Sequence, residues 1–171
     1  MLCYRKEGLI FYNGPWSRDA TSTDDVTRFD FLSLELRDGY PLLRASLGGD
    51  VMTLTLNGRD VSGKRSLKRL SDGRWHRVDV IRRGRHLRLI VDQCRVADVS
   101  ENEATQVTSS DRSACESVGD ADGDARFFET GAPLQLGGVD DVTKHSFPAL
   151  DVSGFDGCIK NVIHNGKVIY T

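Results

Sequence analysis

RLSDGRWHRVDVIRRGRHLRLIVDQC, residues 69–94, decides the fold. Asp72 and Gly73 make a turn, because an Asp side chain bonds the backbone that follows it and Gly accepts positive φ; Trp75, Val78 and Val80 then begin a strand. The chain reverses near Gly84. Leu87, Leu89 and Val91 recur at two-residue spacing and share one face of a second strand, while Arg88 and Ile90 point to the other. The stretch predicts a two-stranded hairpin with an apolar inner face, arginines on its outside, and Trp75 as an aromatic anchor sealed into the core.

The segments before it repeat the same grammar. Leu9 to Tyr12, LIFY, is a short apolar run closed by Asn13, Gly14 and Pro15, a buried strand with its turn. Residues 17–28 are polar and read as an exposed loop. Leu32, Leu34 and Leu36 alternate with Ser33, Glu35 and Arg37, the pattern of a half-buried strand, and Asp38-Gly39 turns it. Leu43, Ala45 and Leu47 continue the alternation to Gly48-Gly49, and Met52, Leu54 and Leu56 supply a further strand ended by Asn57-Gly58. Strands at roughly ten-residue spacing, each closed by a turn dipeptide, predict an antiparallel sandwich or barrel.

After the hairpin the periodicity stops. Residues 97–124 are rich in Ser, Asp, Glu and Gly, too long for a structureless loop unless it is tied down or functional. Order resumes at Phe127 and Phe128 and in Pro133 to Gly138, a strand leading into a glycine turn. In SGFDGCIKNVIHNGKVIY, residues 153–170, Asn165-Gly166 is the strongest short hairpin signal of the chain. No helix of convincing length is predicted, and the fold class is all-β.

Length and composition set the outer bounds. The 171 residues, 39% of them apolar, suffice for a single domain, one that buries roughly 68–70% of its unfolded surface. No run approaches the ~18 apolar residues of a membrane span, and Arg5, Lys6 and Glu7 stand where a secretory signal is greasy, so this segment is not expected to insert into a membrane. Four cysteines, at 3, 94, 115 and 158, lack C-x-x-C spacing, which leaves disulfides or inert buried thiols. Bridging Cys94 to Cys115 would tie the polar loop and stabilise the fold by roughly 3 kcal/mol through loop closure; Cys3 with Cys158 is the other pair on offer. The net charge of −2 hides a segregation: residues 64–95 hold eleven Lys or Arg against three Asp, and residues 101–141 hold ten acids against two Arg.

Four segments, in order, resemble laminin G-like domains: GLIFYNGP; DFLSLELRDGYPLLRASLGG; DGRWHRV with LIVD; and LQLGG followed by GFDGCIKNVIHNG. VDQC, SACE and the GGV that follows are most similar to the modules in the extracellular regions of large cadherins, including invertebrate cadherins and the Fat and Flamingo types. The resemblance implies an antiparallel β-sandwich of the jelly-roll, concanavalin-like kind over residues 1–171, and a recognition and adhesion module of a cadherin-like receptor at the plasma membrane, its ligand a protein or glycan held by rim loops. Family members begin with further strands before GLIFYNGP, so an N-terminal truncation by an edge strand or two is expected. The resemblance also implies a partner for Cys158 downstream of Thr171.

It implies a calcium site too, with Asp30 and Glu129 as side-chain ligands and Leu47 and Phe127 offering carbonyls. Hard oxygen donors suit Ca²⁺, and two carboxylates completed by water would make a weak extracellular-type site; the plain alternative is a turn residue and a solvated acid. Asp120, Asp122 and Asp124 begin like an EF-hand loop, but Ala125 and Gly131 stand where its glycine and bidentate acid belong, so a solvated acidic linker is expected there. Lys64, Arg65, Lys68, Arg69, Arg82, Arg83, Arg85 and Arg88 form a candidate polyanion site for a sulfated glycan such as a glycosaminoglycan, through guanidinium contacts. Simple solvation is the favoured reading of these charges. Nucleic acid does not fit, because no aromatics interleave with the arginines. A glycoside hydrolase needs paired carboxylates ~5–9.5 Å apart; Glu35 lacks an obvious partner, and His76, His86, His145 and His164 have no nucleophile motif beside them, so no enzyme is expected.

Overall fold

The computed structural model describes residues 2–3, 7–14, 30–56, 67–94, 114–123, 128, 130, 133–140 and 153–169. Twelve strands lie within them: β1 (Leu2–Cys3), β2 (Gly8–Asn13), β3 (Phe31–Arg37), β4 (Tyr40–Ser46), β5 (Met52–Thr55), β6 (Val78–Arg83), β7 (His86–Val91), β8 (Glu116–Asp120), β9 (Gln135–Leu136), β10 (Gly157–Cys158), β11 (Val162–His164) and β12 (Lys167–Ile169). A five-stranded sheet in the order β5-β4-β3-β2-β9 faces a three-stranded sheet in the order β6-β7-β8, and the pairs β1-β10 and β11-β12 complete the set. All strand pairs are antiparallel. The molecule is an all-β sandwich, with a three-residue helical turn over Asp92–Cys94 after β7.

Between the sheets lies the core, and the alternating leucines build it. Leu34, Leu36, Leu43, Ala45, Leu54, Leu87, Leu89 and Val91 form one cluster, each large side chain contributing roughly 1.5–3 kcal/mol of burial. In β2 a bulge between Leu9 and Phe11 breaks the strict alternation, so Ile10 and Phe11 both reach this core, while Leu9, Tyr12 and Phe31 pack together on the opposite face of the sheet. Turn chemistry is as expected. Asp38-Gly39 and Asn165-Gly166 both take positive φ at two successive residues, the primed geometry that matches strand twist. Gly84 takes φ 61° where the β6–β7 hairpin reverses.

Four expectations need correction. Trp75 is not sealed in the core: it is 44% exposed, because β6 begins only at Val78 and the indole lies at the sandwich edge with the Lys160 ammonium 3.9 Å above its ring. β3 is not half-buried, since Ser33 and Glu35 on its other face are buried as well. The stretch read as an acidic linker holds β8, which pairs with β7 from Ile90–Glu116 to His86–Asp120. Finally, Arg82 is not on the outside of the hairpin. It alternates with Val78 and Val80, which pack on the core, and its guanidinium carbon stands 5.5 Å from the Phe128 ring centroid.

Candidate functional site

The rim at the β3 start is where the calcium expectation falls. Register pairs Phe31 with Ser46, so Asp30 and Leu47, one residue further out on each strand, are cross-strand neighbours at one end of the sandwich. The Leu47 carbonyl abuts the 122–123 turn closely enough that a Cβ added at Gly123 would overlap its oxygen, and one added at Gly49 would stand 2.8 Å from the Asp122 carbonyl carbon. Two of the four expected ligands thus come together, and Asp122, read from sequence as part of a linker, joins them at the same rim. Phe127 and Glu129 lie outside the described residues. Among the described residues no cluster of three His, Cys, Asp or Glu side chains is preassembled for a metal. An oxygen-rich donor set of this kind still suits a hard cation that completes its shell with water.

The β6–β7 turn reaches the same rim. Arg85 donates from Nη1 to the Gly123 carbonyl at 3.2 Å, and His86 Nδ1 stands 3.1 Å from Asp120 Oδ1. Arg83 is exposed beside them. Lys68 and Arg69 are elsewhere: Leu70 donates its N–H to the Gly39 carbonyl at 2.7 Å, which ties them to the β3–β4 turn. That turn is at the far end of seven-residue strands, roughly 20 Å away. Arg88 lies mid-strand and donates from Nε to Glu116 Oε1 at 2.7 Å. The single basic patch expected from sequence is therefore split among two ends and a neutralised middle, with Lys64 and Arg65 outside the described residues.

At the end opposite the rim, three side chains make a clamp. His76 places Nε2 2.9 Å from Asp72 Oδ1 and Nδ1 2.9 Å from Asp92 Oδ2, and the other Asp92 oxygen accepts the Arg77 N–H at 2.8 Å. The hydrogen bond to Asp92 raises the His76 pKa above its ordinary value, desolvation opposes it, and the bond to Asp72 adds to the rise. Desolvation pulls Asp72 upward, but bonds from His76 and the Arg74 N–H outweigh it and hold the carboxyl below its usual range. Asp92, Gln93 and Cys94 all have φ between 50° and 58°, a run of left-handed residues that non-glycine chains rarely adopt. The clamp holds one end of that run, and the disulfide joining Cys94 to Cys115, Cα atoms 5.1 Å apart, holds the other. Cys158 is a free, exposed thiol, so it is not bridged to Cys3.

Glu35, weighed from sequence as a lone catalytic acid, is 1% exposed. Arg37 and Arg44 each bring a guanidinium Nε to it, at 3.2 and 3.1 Å. Buried against two arginines, this carboxylate is a paired structural group and not one open to solvent.

A family model described as the laminin G domain matches residues 3–167. Over 94% of its length the chain is 37% identical to Putative neural-cadherin 2 of Drosophila melanogaster, of which it spans 9%. It is 32% identical over 96% of its length to Neural-cadherin of the same organism, spanning 5% of it. With Cadherin-related hmr-1 of Caenorhabditis elegans it shares 26% identity over 95% of its length, again spanning 5%. Among solved structures, the LG1-3 region of the laminin alpha2 chain superposes with a TM-score of 0.64 at 22% identity, covering 99% of this chain and 27% of that one.

Proposed function

This chain belongs to the laminin G domain family, and on that premise we propose that it is an extracellular adhesion module of a cadherin-type cell-surface receptor, engaging a protein or glycan partner through loops at the Asp30–Leu47 rim. The observation that carries the reading is the likeness to two neural-cadherins over more than nine-tenths of the chain, in a sandwich whose loops converge on one rim. A rigid double sheet presents such loops in fixed relation to one another, so specificity resides there while the layers carry stability. The disulfide between Cys94 and Cys115 suits an oxidising, extracellular setting. The domain's task is binding, not turnover, as the double arginine pairing of Glu35 also favours. An antibody to this domain should label intact cells that express the natural chain; labelling only after permeabilisation would overturn the assignment.

Calcium at the rim is part of the same proposal. The Asp30 carboxylate and the Leu47 carbonyl, with Phe127 and Glu129, would supply oxygens to a weakly held ion that pins the loops together and leaves coordination positions for a partner's acidic group. Calorimetric titration with CaCl₂ should release or absorb heat with the unmutated protein and none with Asp30→Asn or Glu129→Gln. An unmutated protein that gives no heat removes calcium from the proposal and leaves the adhesion reading standing. A polysulfated ligand is less favoured, because the basic residues do not assemble.

A further inference from the structure

The last hairpin reverses through an Asn-Gly pair, and that pair is reactive as well as turn-forming. Asn-Gly occurs three times in the chain, at residues 13–14, 57–58 and 165–166. A glycine after asparagine has no Cβ to shield its own amide nitrogen or to restrict the backbone, so that nitrogen can reach the asparagine side-chain carbonyl and close a five-membered ring. The structure separates the sites. Asn13 is 7% exposed in β2, the strand between β3 and β9, and Gly14 is packed so closely that an added Cβ would stand 2.3 Å from the Tyr12 hydroxyl oxygen. Asn57 and Gly58 lie outside the described residues. Asn165 and Gly166 are both exposed where β11 turns into β12, and a Cβ added at Gly166 would meet nothing within 4 Å.

Backbone conformation holds the reaction back while the turn lasts. Asn165 and Gly166 have φ of 49° and 75°, and in this left-handed, primed geometry the Gly166 nitrogen is turned away from the Asn165 side chain. Ring closure therefore waits on the turn opening. That opening is a local event. The ladder is three pairs long, Val162 with Ile169, Ile163 with Val168 and His164 with Lys167. Four of those six residues are exposed, Ile163 at 66% and Val168 at 54%. Few buried contacts and water-reached backbone bonds mark a segment that opens far below the cost of global unfolding. The turn projects past the ladder, so a neighbour laid along either strand would still leave it in water.

We propose that Asn165 is a site of slow, spontaneous covalent modification, in which its side-chain amide is lost, isoaspartate forms, and the β11–β12 hairpin opens. The Gly166 nitrogen attacks Asn165 Cγ. A new N–C bond forms as the bond from Cγ to the side-chain nitrogen breaks, and ammonia leaves with the proton of the attacking amide. Water then opens the resulting succinimide at one of its two carbonyls, giving aspartate or isoaspartate, and nothing is oxidised or reduced. Two properties of the hairpin change. A negative charge appears between His164 and Lys167, and in isoaspartate the backbone runs through the side chain, one methylene longer, which a two-residue primed turn does not accommodate. The exposed Ile163–Val168 pair then loses its register, so this surface changes with age and does not return by itself. The proposal does not depend on calcium or on the identity of a partner.

The test ages the folded protein at 37 °C and pH 8.5 beside unstructured peptides of residues 8–18 and 160–170, and follows each Asn-Gly site by peptide mapping and mass spectrometry. Asn165 should convert at a rate within about a hundredfold of its peptide. Asn13 should be at least a thousandfold slower than its own, because only global unfolding frees it. Isoaspartate should be detected at position 165, and the amides of β11 and β12 in the aged protein should exchange hydrogen at least tenfold faster. Asn165→Asp, which brings the charge without the methylene, should leave that exchange as it was, and Asn165→Gln should neither convert nor loosen on ageing. Conversion of Asn165 more than a hundredfold slower than its peptide overturns the proposal, as does equal slowing at Asn13 and Asn165, which would assign the reaction to the unfolded chain. Unchanged exchange in the aged hairpin overturns it too, and so does equal loosening by Asn165→Asp, which would assign the effect to charge.

Discussion

His76 is held between two carboxylates, and the consequence is a pH-dependent contribution to stability. Its folded pKa is raised above its unfolded value, so its contribution is fully present below the unfolded pKa near 6.5 and is lost as pH rises through the folded pKa. For Asp72, whose folded pKa is lowered, the contribution is present above the unfolded value and is lost as pH falls through the folded one. The clamp is therefore strongest in mildly acidic solution, between those limits. Replacing His76 by Gln should cost about 1.5–3 kcal/mol at pH 5.5, the range of hydrogen bonds to charged groups, and clearly less at pH 9. Urea denaturation at the two pH values checks this, and a gap that stays constant would show that the ring acts by packing alone.

Strand β8 shows how an element can escape the usual pattern. Its outward positions carry Glu116, Val118 and Asp120, with Val118 53% exposed, whereas Ser117 and Gly119 face the opposite sheet. Small residues are needed because β5 approaches closely there, Met52 Sδ standing 3.1 Å from a Cβ built on Gly119. Hydrophobic alternation thus runs inverted, and a search for apolar spacing finds only a polar stretch. Gly119→Ala should be mild, because the ends of Met52 and Leu54 can give way. Gly119→Val should cost roughly 1–3 kcal/mol by overpacking, read as a fall in the denaturation midpoint without a change in slope. Equal stability of the two variants would mean that the sheets are not in close contact at this strand.

Across the sandwich, the distribution of charge decides what the basic residues can do. Lys68 and Arg69 sit at the β3–β4 turn end and Arg83 and Arg85 at the Asp30 rim, with Arg88 bound to Glu116 between them. A heparin column run at low salt should show Lys68→Ala/Arg69→Ala and Arg83→Ala/Arg85→Ala lowering retention separately and additively, as independent weakly held charges do. Complete loss of retention on changing one pair would restore a single glycan site.

Read alone, the chain determined most of its strands, β8 excepted, its turns and its family. The alternating leucines of β3, β4 and β7 and the Asp-Gly and Asn-Gly reversals are local matters, set by the two-residue period of a pleated strand and by which residues tolerate positive φ. The Cys94–Cys115 bridge was legible as one of the pairings open to four cysteines. Tertiary structure alone decided where charge and aromatic surface ended up. Ser33 and Glu35 are buried because the outer face of β3 is covered too, Trp75 is exposed because β6 lies at an edge, and neighbours in the basic run part to opposite ends because strands carry them there.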